Sequence, residues 1–513
     1  MENGYKQNFQ PAKSNMFMEP IKEESDYIKK IKENYLFFIL ISVIFGIFYT
    51  VFLYNNVSGI TTPFFAITWI SCFVVGLNKL EIKISKINYI YMIGIMLFSI
   101  STVFTTSGFI IFFNAVSIFL IICIMALGNF YDTRNWQFGR FTIGIFLMFG
   151  QALLHIFTPL THLNDYNKIK NKKESKFKYV IIGLAISVPL VMVILVLLIS
   201  ADSIFFSLFE NICIKGNFVD IFGIIFMFCF GSIGFYTVFA GLASKKIKNK
   251  AIDIRVGEPV IAITITSILT AIYLVFCLIQ IIYLFIGGAN ALPEGLTYAE
   301  YARKGFFQLV VVSIINLGLV LMCIRIFKES KILKVLLLII SACTYIMIAS
   351  SAYRMILYIG AYQLTFLRIL VLWFLMLLVV LMTGVIITIF NDKFNLFRFS
   401  LIAVISFYIV FSYAKPDRIV AEYNVRYIER MTYDDVLYMV DNLSYDAVPA
   451  ISKIDLSRVT LSGYKYNNNT QRLDSIVDNY FRRAQEDYDK RGIRGFNFSS
   501  FEADKAADTK FSN

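Results

Sequence analysis

The stretch from Tyr35 to Tyr54, YLFFILISVIFGIFYTVFLY, contains no charged side chain. An α-helix needs about 20 mainly apolar residues to cross the hydrocarbon core of a bilayer, and this stretch supplies them. Residues 1–34, before it, contain six lysines, six acidic residues and no apolar core, so they do not form a cleavable signal peptide. We therefore expect a cytoplasmic N-terminal tail and an uncleaved first span that begins at Tyr35.

The composition of the whole chain agrees with this first segment. Of 513 residues, 58% are hydrophobic and 16% are charged, whereas soluble domains average roughly 45–50% apolar and about 25% charged residues. The net charge of +13 comes mainly from lysines and arginines in short segments between apolar runs. Such residues act as topology signals, so the composition predicts a polytopic membrane protein in contact with the lipid bilayer and no nucleic-acid partner.

Eleven apolar runs are long enough to be candidate spans. They are residues 35–54, 61–78, 88–106, 108–129, 178–200, 218–243, 258–287, 306–327, 332–352, 364–390 and 398–414. The third and fourth runs are separated only by TTSG at 105–108, which predicts a tight hairpin. The expected fold class is all-α, a helical membrane bundle of about 11 transmembrane helices plus one interfacial or re-entrant helix.

A twelfth apolar run, Phe141 to Leu160, is tested by the rule that short cytoplasmic loops collect Lys and Arg. If this run does not cross, 21 basic residues fall on one side of the membrane and four on the other. If it crosses, the charge bias inverts in half of the protein. We therefore expect it to dip into the membrane or to lie in the interface, with Arg134, Arg140 and the lysines of 168–178 all cytoplasmic.

The same segment contains both histidines of the chain. Gln151, His155, Thr158 and His162 form one polar stripe on an otherwise apolar helix, which is typical of an in-plane amphipathic helix, and Pro159 should end or kink it. Two histidines without a nearby Cys or carboxylate do not favour a metal site or histidine catalysis. The seven cysteines are scattered singly without ligand spacing. No metal and no cofactor is expected.

Residues 415–513 differ sharply in composition from the rest. They contain 15 basic and 16 acidic residues, so the sequence predicts three parts: a cytoplasmic tail 1–34, a transmembrane domain 35–414 and an extracytoplasmic helical domain 415–513. Thr432 and Asp435 have the spacing of a capping box. The longer apolar stripe comprises Leu473, Ile476, Val477, Tyr480, Phe481 and Ala484, ended by Gly492 and Gly495, and shorter helices are expected at 444–453 and 498–507.

Three stretches of the predicted exterior loops contain polar residues that simple turns do not explain. They are SADSIFFSLFE at 200–210, LTYAEYARKGFFQL at 296–309, expected to run straight into a span, and SSAYRMILYIGAYQLTFLR at 350–368, expected to form a tyrosine-rich loop. An arginine within an apolar run is costly alone, and a partner such as Glu300 or Asp202 would reduce this cost for Arg368. One hypothesis is that Glu300 pairs with Arg354 or Arg368. The alternative is interface anchoring by tyrosines and snorkelling arginines. The candidate outer polar cluster is Asp202, Glu300, Tyr301, Arg303, Tyr353, Arg354 and Arg368, and the isolated polar residues within spans are Gln280 and Asn316.

These stretches also support a family resemblance. SADSIF at 200–205, YAEYARKGFFQL at 298–309, SAYRMILYIGAYQLTFLR at 351–368, AKPDRIVAEYN at 414–424 and DNLSYDAVPAI at 441–451 are similar to a family of uncharacterised bacterial membrane proteins known as domain of unknown function 4173, with relatives under 4153. The family pattern has Pro where this chain has Ser203 and Gly where it has Gln363. The resemblance implies a many-spanning bundle with an exterior helical tail in a bacterial cell membrane, and no established activity.

The functional hypothesis is an integral membrane protein of unassigned activity that senses or scaffolds at the cell envelope, binding a protein partner through 415–513. A transporter using the outer loops with Gln280 and Asn316 is the first alternative, although the sequence shows no inverted repeat. An envelope enzyme using Asp202 and Glu300 is the second. The sequence identifies no catalytic residue and does not favour an enzyme.

Overall fold

The computed structural model describes residues 24–134, 136–170, scattered positions from 187 to 202, 218–245, 255–282, 305–391, 393–428, 431–459 and 473–512. Within these ranges the chain is helical and has no strand, so the predicted all-α class is confirmed. The helices are α1 Asp26–Glu33, α2 Tyr35–Leu53, α3 Thr61–Lys79, α4 Lys86–Ser101, α5 Gly108–Phe130, α6 Phe138–Leu154, α7 Thr158–Ile169, α8 Phe218–Ala243, α9 Pro259–Gln280, α10 Phe306–Ile326, α11 Lys331–Tyr362, α12 Phe366–Phe390, α13 Leu396–Tyr413, α14 Pro416–Tyr427, α15 Tyr433–Asn442, α16 Val448–Ile451, α17 Leu473–Arg491 and α18 Phe498–Ser512.

Nine of these helices are long and apolar enough to cross a membrane: α2, α3, α5 and α8 to α13. They correspond to nine of the eleven predicted runs. The run at 88–106 forms a shorter apolar helix, α4, and most of the run at 178–200 lies outside the described residues. The described part of the chain therefore supports a polytopic bundle, and the total of eleven crossings stays a prediction.

The spans pack around two groups of buried side chains. Helices α1 to α8 and α13 share a core rich in aromatic residues, in which Phe38, Phe73, Phe98 and Phe239 are buried. Helices α9 to α12 build a second bundle around smaller side chains such as Val320, Ile340 and Met382. Trp373 of α12 joins the two bundles, because its indole N–H donates to the Phe407 carbonyl of α13 at 2.9 Å.

Helices α14 to α18, which we call the terminal cap, have a hydrophobic core of their own. It contains Val436, Val440 and the fully buried Phe481, together with Leu364 from the turn between α11 and α12. Thr432 and Asp435 form the predicted capping box, and α17 ends where Gly492 takes a φ of 56°. The cap helices at 433–442, 448–451, 473–491 and 498–512 confirm the predicted helical segments, whereas α14 was not predicted.

The two ends of the bundle differ in what they contact. At one end, α1 lies beside the start of α2 and the ends of α5 and α8, as the ring contact between Tyr27 and Phe130 illustrates. At the opposite end, the terminal cap bonds to the turns that join α2 to α3, α4 to α5 and α11 to α12. We call these the α1 end and the cap end.

The disputed segment forms two helices, α6 and α7, with a bend of 60° between them. The bend falls just before Pro159, which lies in the first turn of α7, so the predicted kink is confirmed. Phe141 near the start of α6 stacks on Phe397, and its last turn lies against Gly241 of α8. Both neighbours belong to the α1 end, and α7 then packs along α1. These contacts favour a segment that enters and leaves at one end.

The polar stripe of this segment faces inward, contrary to the expected in-plane arrangement. His162 is buried against Tyr236 of α8, with 2.9 Å between Nδ1 and the phenol oxygen. Apart from Thr142, the exposed side chains of α6 are apolar, among them Phe146 and Leu153. The interpretation of the stripe as the polar face of an in-plane helix was therefore wrong, because a bundle at membrane depth gives polar groups hydrogen-bond partners and leaves apolar groups to the lipid.

One further expectation is corrected. The region 350–368 is not a loop, because α11 continues to Tyr362 and leaves only a short turn before α12. Its 32 residues rise about 48 Å, which exceeds a hydrocarbon core of about 30 Å, so the helix extends past the apolar run. Of the stretch 296–309, residues 296–304 lie outside the described residues, and Gly305, with a φ of 88°, is the residue before α10.

Candidate functional site

A line of polar side chains runs between α9, α10 and α11. At its middle, the buried Asn316 accepts a hydrogen bond from the Tyr273 hydroxyl at 2.8 Å and donates one to the Thr344 hydroxyl at 3.0 Å. A polar group inside a bilayer is costly unless it is bonded, and this arrangement satisfies the amide on both sides. Asn316 thus links three helices, which is the role that isolated polar residues within spans most often have.

Nearer the cap end, the same line contains Gln280 and Arg354. The Gln280 side-chain oxygen accepts hydrogen bonds from the Ser350 hydroxyl at 2.7 Å and from Arg354 Nη2 at 3.2 Å. All three side chains are buried. The structure therefore brings together two candidates that the sequence treated separately, an outer-loop arginine and an intramembrane glutamine.

Arg368 lies apart from that group, at the start of α12. Its Nη1 donates to the carbonyls of Tyr362 at 2.6 Å and of Gln363, and its guanidinium lies 4.2 Å from the ring centre of Tyr358. The last carbonyls of a helix have no partner within the helix, so Arg368 closes the end of α11. The interface-anchoring alternative expected Arg368 only to snorkel toward water. In the structure its guanidinium instead bonds to backbone carbonyls and stacks on a tyrosine ring.

A cavity of about 190 Å³ opens beside Arg368, between the ends of α10, α11 and α12. Its described lining is Phe306, Phe307, Met355, Tyr358, Thr365, Leu367 and Arg368. Apart from Arg368, Tyr358 and Thr365, the lining is apolar. The cavity therefore combines one fixed cation with a hydrophobic wall.

Only some of the remaining residues of the candidate outer polar cluster lie in the part of the chain that the structure describes. Asp202 is exposed at the end of the described positions from 187 to 202, and Tyr353 is exposed on α11. Glu300, Tyr301 and Arg303 lie outside the described residues. The pairing of Glu300 with Arg354 or Arg368 thus stays a prediction.

Several polar contacts at the cap end involve Asp446, a residue that is not among the candidates from the sequence. The buried carboxylate of Asp446 accepts hydrogen bonds from the Thr105 hydroxyl at 2.5 Å, and from both the backbone N–H and the hydroxyl of Thr106 at 2.6 Å. Hydrogen bonds to a charged acceptor are roughly twice as strong as neutral ones. Asp446 therefore fixes the cap to the turn between α4 and α5.

A second buried carboxylate, Asp417 on α14, lies near this contact. Burial raises the pKa of Asp417, and the neighbouring Asp446 carboxylate raises it further, while hydrogen bonds from Ser444 and Ser107 oppose the rise. A carboxylate with a raised pKa makes the folded state more stable as the pH falls through that pKa. The cap end is thus a place where two acidic groups are held close together.

Two asparagines complete the attachment of the cap. The Asn497 amide donates to the carbonyls of Thr102 at 2.8 Å and Thr105 at 2.9 Å. Asn424 bonds in both directions with the backbone of Leu364, at 3.0 and 2.9 Å. We call Asn424, Asp446 and Asn497 the cap clamp. Asn424 and Asp446 fall inside the motifs AKPDRIVAEYN and DNLSYDAVPAI, which was the one sequence signal that could have identified them.

The turn between α2 and α3 meets the cap through backbone contacts. Arg494 Nη2 donates to the carbonyls of Val51 at 2.5 Å and Tyr54 at 3.1 Å. Gly59 has a φ of 102°, and a Cβ at this position would come within 2.7 Å of the Gly495 carbonyl oxygen. Only glycine fits both the backbone conformation and the close approach.

At the α1 end, charged groups hold α1 against α7. Lys32 Nζ lies 2.6 Å from a Glu24 carboxylate oxygen and 2.7 Å from one of Asp165. His155 bonds to Thr158 at 3.0 Å through Nδ1. Among the described residues no three His, Cys, Asp or Glu side chains come close enough to hold a metal ion.

The packed apolar helices and their bonded polar lines define an integral membrane protein of the polytopic α-helical class. Residues 92–454 match the family described as Domain of unknown function (DUF4153). The chain belongs to that family. The sequence motifs pointed to domain of unknown function 4173 and named the 4153 family as its relative. No curated protein and no solved structure matches the chain.

Proposed function

We propose that the protein is a sensor of the cell envelope, in which the terminal cap binds an extracytoplasmic protein partner and passes its state to the transmembrane helices. The cap clamp is the observation that carries this proposal. Its three side chains bond to the turns between α4 and α5 and between α11 and α12. A partner that shifts the cap would therefore pull on the ends of four helices at once.

The orientation we propose is a cytoplasmic α1 end and an extracytoplasmic cap in a bacterial cell membrane. The basic loops that gave the 21-to-4 charge split support it, since their described members, such as Lys79, Arg134 and Lys331, adjoin helix termini at the α1 end. Short cytoplasmic loops collect such residues.

Hydrogen exchange of the full-length protein in lipid nanodiscs tests the transmission step. Asn497→Ala removes two hydrogen bonds from cap to turn, and Asn442→Ala, on the exposed face of the cap, is the matched control. We expect faster exchange in Asn497→Ala both at residues 102–107 and at α1 and α7, on the far end of the bundle. Faster exchange confined to the cap and its turns would mean that the cap is only a scaffold.

A transporter is the second candidate, and the polar line through Asn316 and Gln280 favours it. Bonded polar groups at membrane depth mark substrate pathways as well as helix contacts. Asn316→Leu distinguishes the two roles when uptake of labelled solutes is compared in proteoliposomes. A pure helix contact gives lower thermal stability with no solute flux in either protein, whereas a pathway gives a flux that the variant loses.

A further inference from the structure

We propose that the cavity beside Arg368 binds the phosphate group of an anionic phospholipid, whose acyl chains lie along the outer surface of α10 and α12. This site goes beyond the sensing proposal and does not depend on it. Three features support it: Arg368 has N–H donors without an acceptor among the described residues, the cavity has the size of a headgroup fragment, and it opens beside exposed apolar side chains.

Arg368 retains hydrogen-bonding capacity after it has closed the end of α11. A guanidinium carries five N–H donors, and the contacts of its Nη1 go to the carbonyls of Tyr362 and Gln363. Among the described residues no oxygen accepts a hydrogen bond from its Nε or Nη2. The stack on Tyr358 fixes the plane of the guanidinium. A planar guanidinium with neighbouring free donors is the geometry that binds phosphate oxygens in pairs.

The size of the cavity fits a headgroup fragment. Its volume of about 190 Å³ is well above the roughly 10–15 Å³ that one water molecule needs. This is enough for a phosphate group and too little for a drug-sized ligand, whose pockets begin at about 300 Å³.

The cavity opens beside side chains that face the lipid. Phe307 at the start of α10 and Leu367 at the start of α12 line it, and they are 56% and 54% exposed. Both lie in the first turns of membrane-spanning helices at the cap end, which is the depth of lipid headgroups. An amphiphile can therefore place its phosphate on Arg368 while its chains cover these apolar side chains.

Native mass spectrometry of the full-length protein in detergent tests the site with three probes. They are dioleoyl phosphatidylglycerol, dioleoyl phosphatidylcholine and inorganic phosphate. We expect the wild type to bind its first phosphatidylglycerol about tenfold more tightly than phosphatidylcholine. Both lipids carry the phosphate, but the choline cation of phosphatidylcholine cancels the net charge of its headgroup and is repelled by Arg368. Arg368→Gln should abolish the preference. Arg398→Gln is the matched control, because Arg398 is also the third residue of an apolar helix but lies at the α1 end.

Arg368→Gln also removes the contacts that close α11, so a second variant tests the site without touching them. Leu367→Trp fills the mouth of the cavity from an exposed position, and we expect it to abolish the preference at an unchanged melting temperature. Equal binding of both lipids by the wild type overturns the proposal, and so does an equal loss in Arg398→Gln. Displacement of phosphatidylglycerol by an equal concentration of inorganic phosphate would identify the free anion as the ligand and overturn the lipid assignment.

Discussion

Gln363, at the end of α11, is held in a backbone conformation that glycine adopts most readily. Its φ of 72° and ψ of 177° lie in a region that is essentially restricted to glycine. The surrounding contacts impose it, because the Gln363 carbonyl accepts from Arg368 and the next residue, Leu364, is bonded on both sides by Asn424. The glycine that the family pattern carries at this position is therefore what the backbone geometry favours.

Replacing this residue should stabilise the protein. Gln363→Gly removes a strain of about 1–3 kcal/mol but adds flexibility to the unfolded chain, so we expect a net gain of about 1 kcal/mol. Thermal unfolding in detergent measures it as a higher Tm. The control, Gln485→Gly in the middle of α17, should lower the Tm because glycine costs about 1 kcal/mol inside a helix. A lower Tm for Gln363→Gly would contradict the strain argument.

At the scale of single elements, the sequence predicted helix positions well where the signal was local. The capping box at Thr432 and the end of α17 at Gly492 depend on a few neighbouring residues, and both appear in the structure. The predicted span at 332–352 ends ten residues before α11 does, because Arg354 and a group of tyrosines have the pattern of a loop. Gln280 and Ser350 give Arg354 buried partners, and such partners come from other parts of the chain that no local pattern reveals.

The α6–α7 segment gives the element-scale prediction. The 17 residues of α6 rise about 25 Å, less than the hydrocarbon core of about 30 Å, and both ends of the segment contact the α1 end. In a cysteine-free background, Arg134→Cys and Lys170→Cys should therefore label from the same side. Both positions are exposed.

A membrane-impermeant maleimide applied to intact cells provides the measurement. Ile493→Cys, at a position that is 91% exposed at the cap end, should react in intact cells, whereas the other two variants should react only after lysis. Opposite reactivity of Arg134→Cys and Lys170→Cys would mean that the segment crosses.

At the scale of the whole molecule, the attachment of the cap was beyond the reach of sequence patterns. The sequence indicated a separate helical region after residue 414 and located most of its helices. It did not indicate that Asp446 bonds to Thr105 and Thr106, which are more than 300 positions away along the chain. Periodicity reports which face of a helix is buried, but it carries no information on which distant turn satisfies a buried carboxylate.

The cap clamp gives the last prediction. Asp446→Ala leaves the Thr105 hydroxyl and the Thr106 N–H without their acceptor at a buried contact, and each unsatisfied group costs about 1–3 kcal/mol. We expect the cap to detach at a lower temperature than the spans unfold, so that trypsin releases it after Arg418 under conditions in which the wild type stays intact. Asp435→Ala, which removes only the capping box of α15 at a cost of about 1 kcal/mol, should leave the cap attached. Equal release of the cap in both variants would contradict this prediction. It would mean that the attachment of the cap depends on the general stability of the cap and not on the bonds of Asp446 to the turn between α4 and α5.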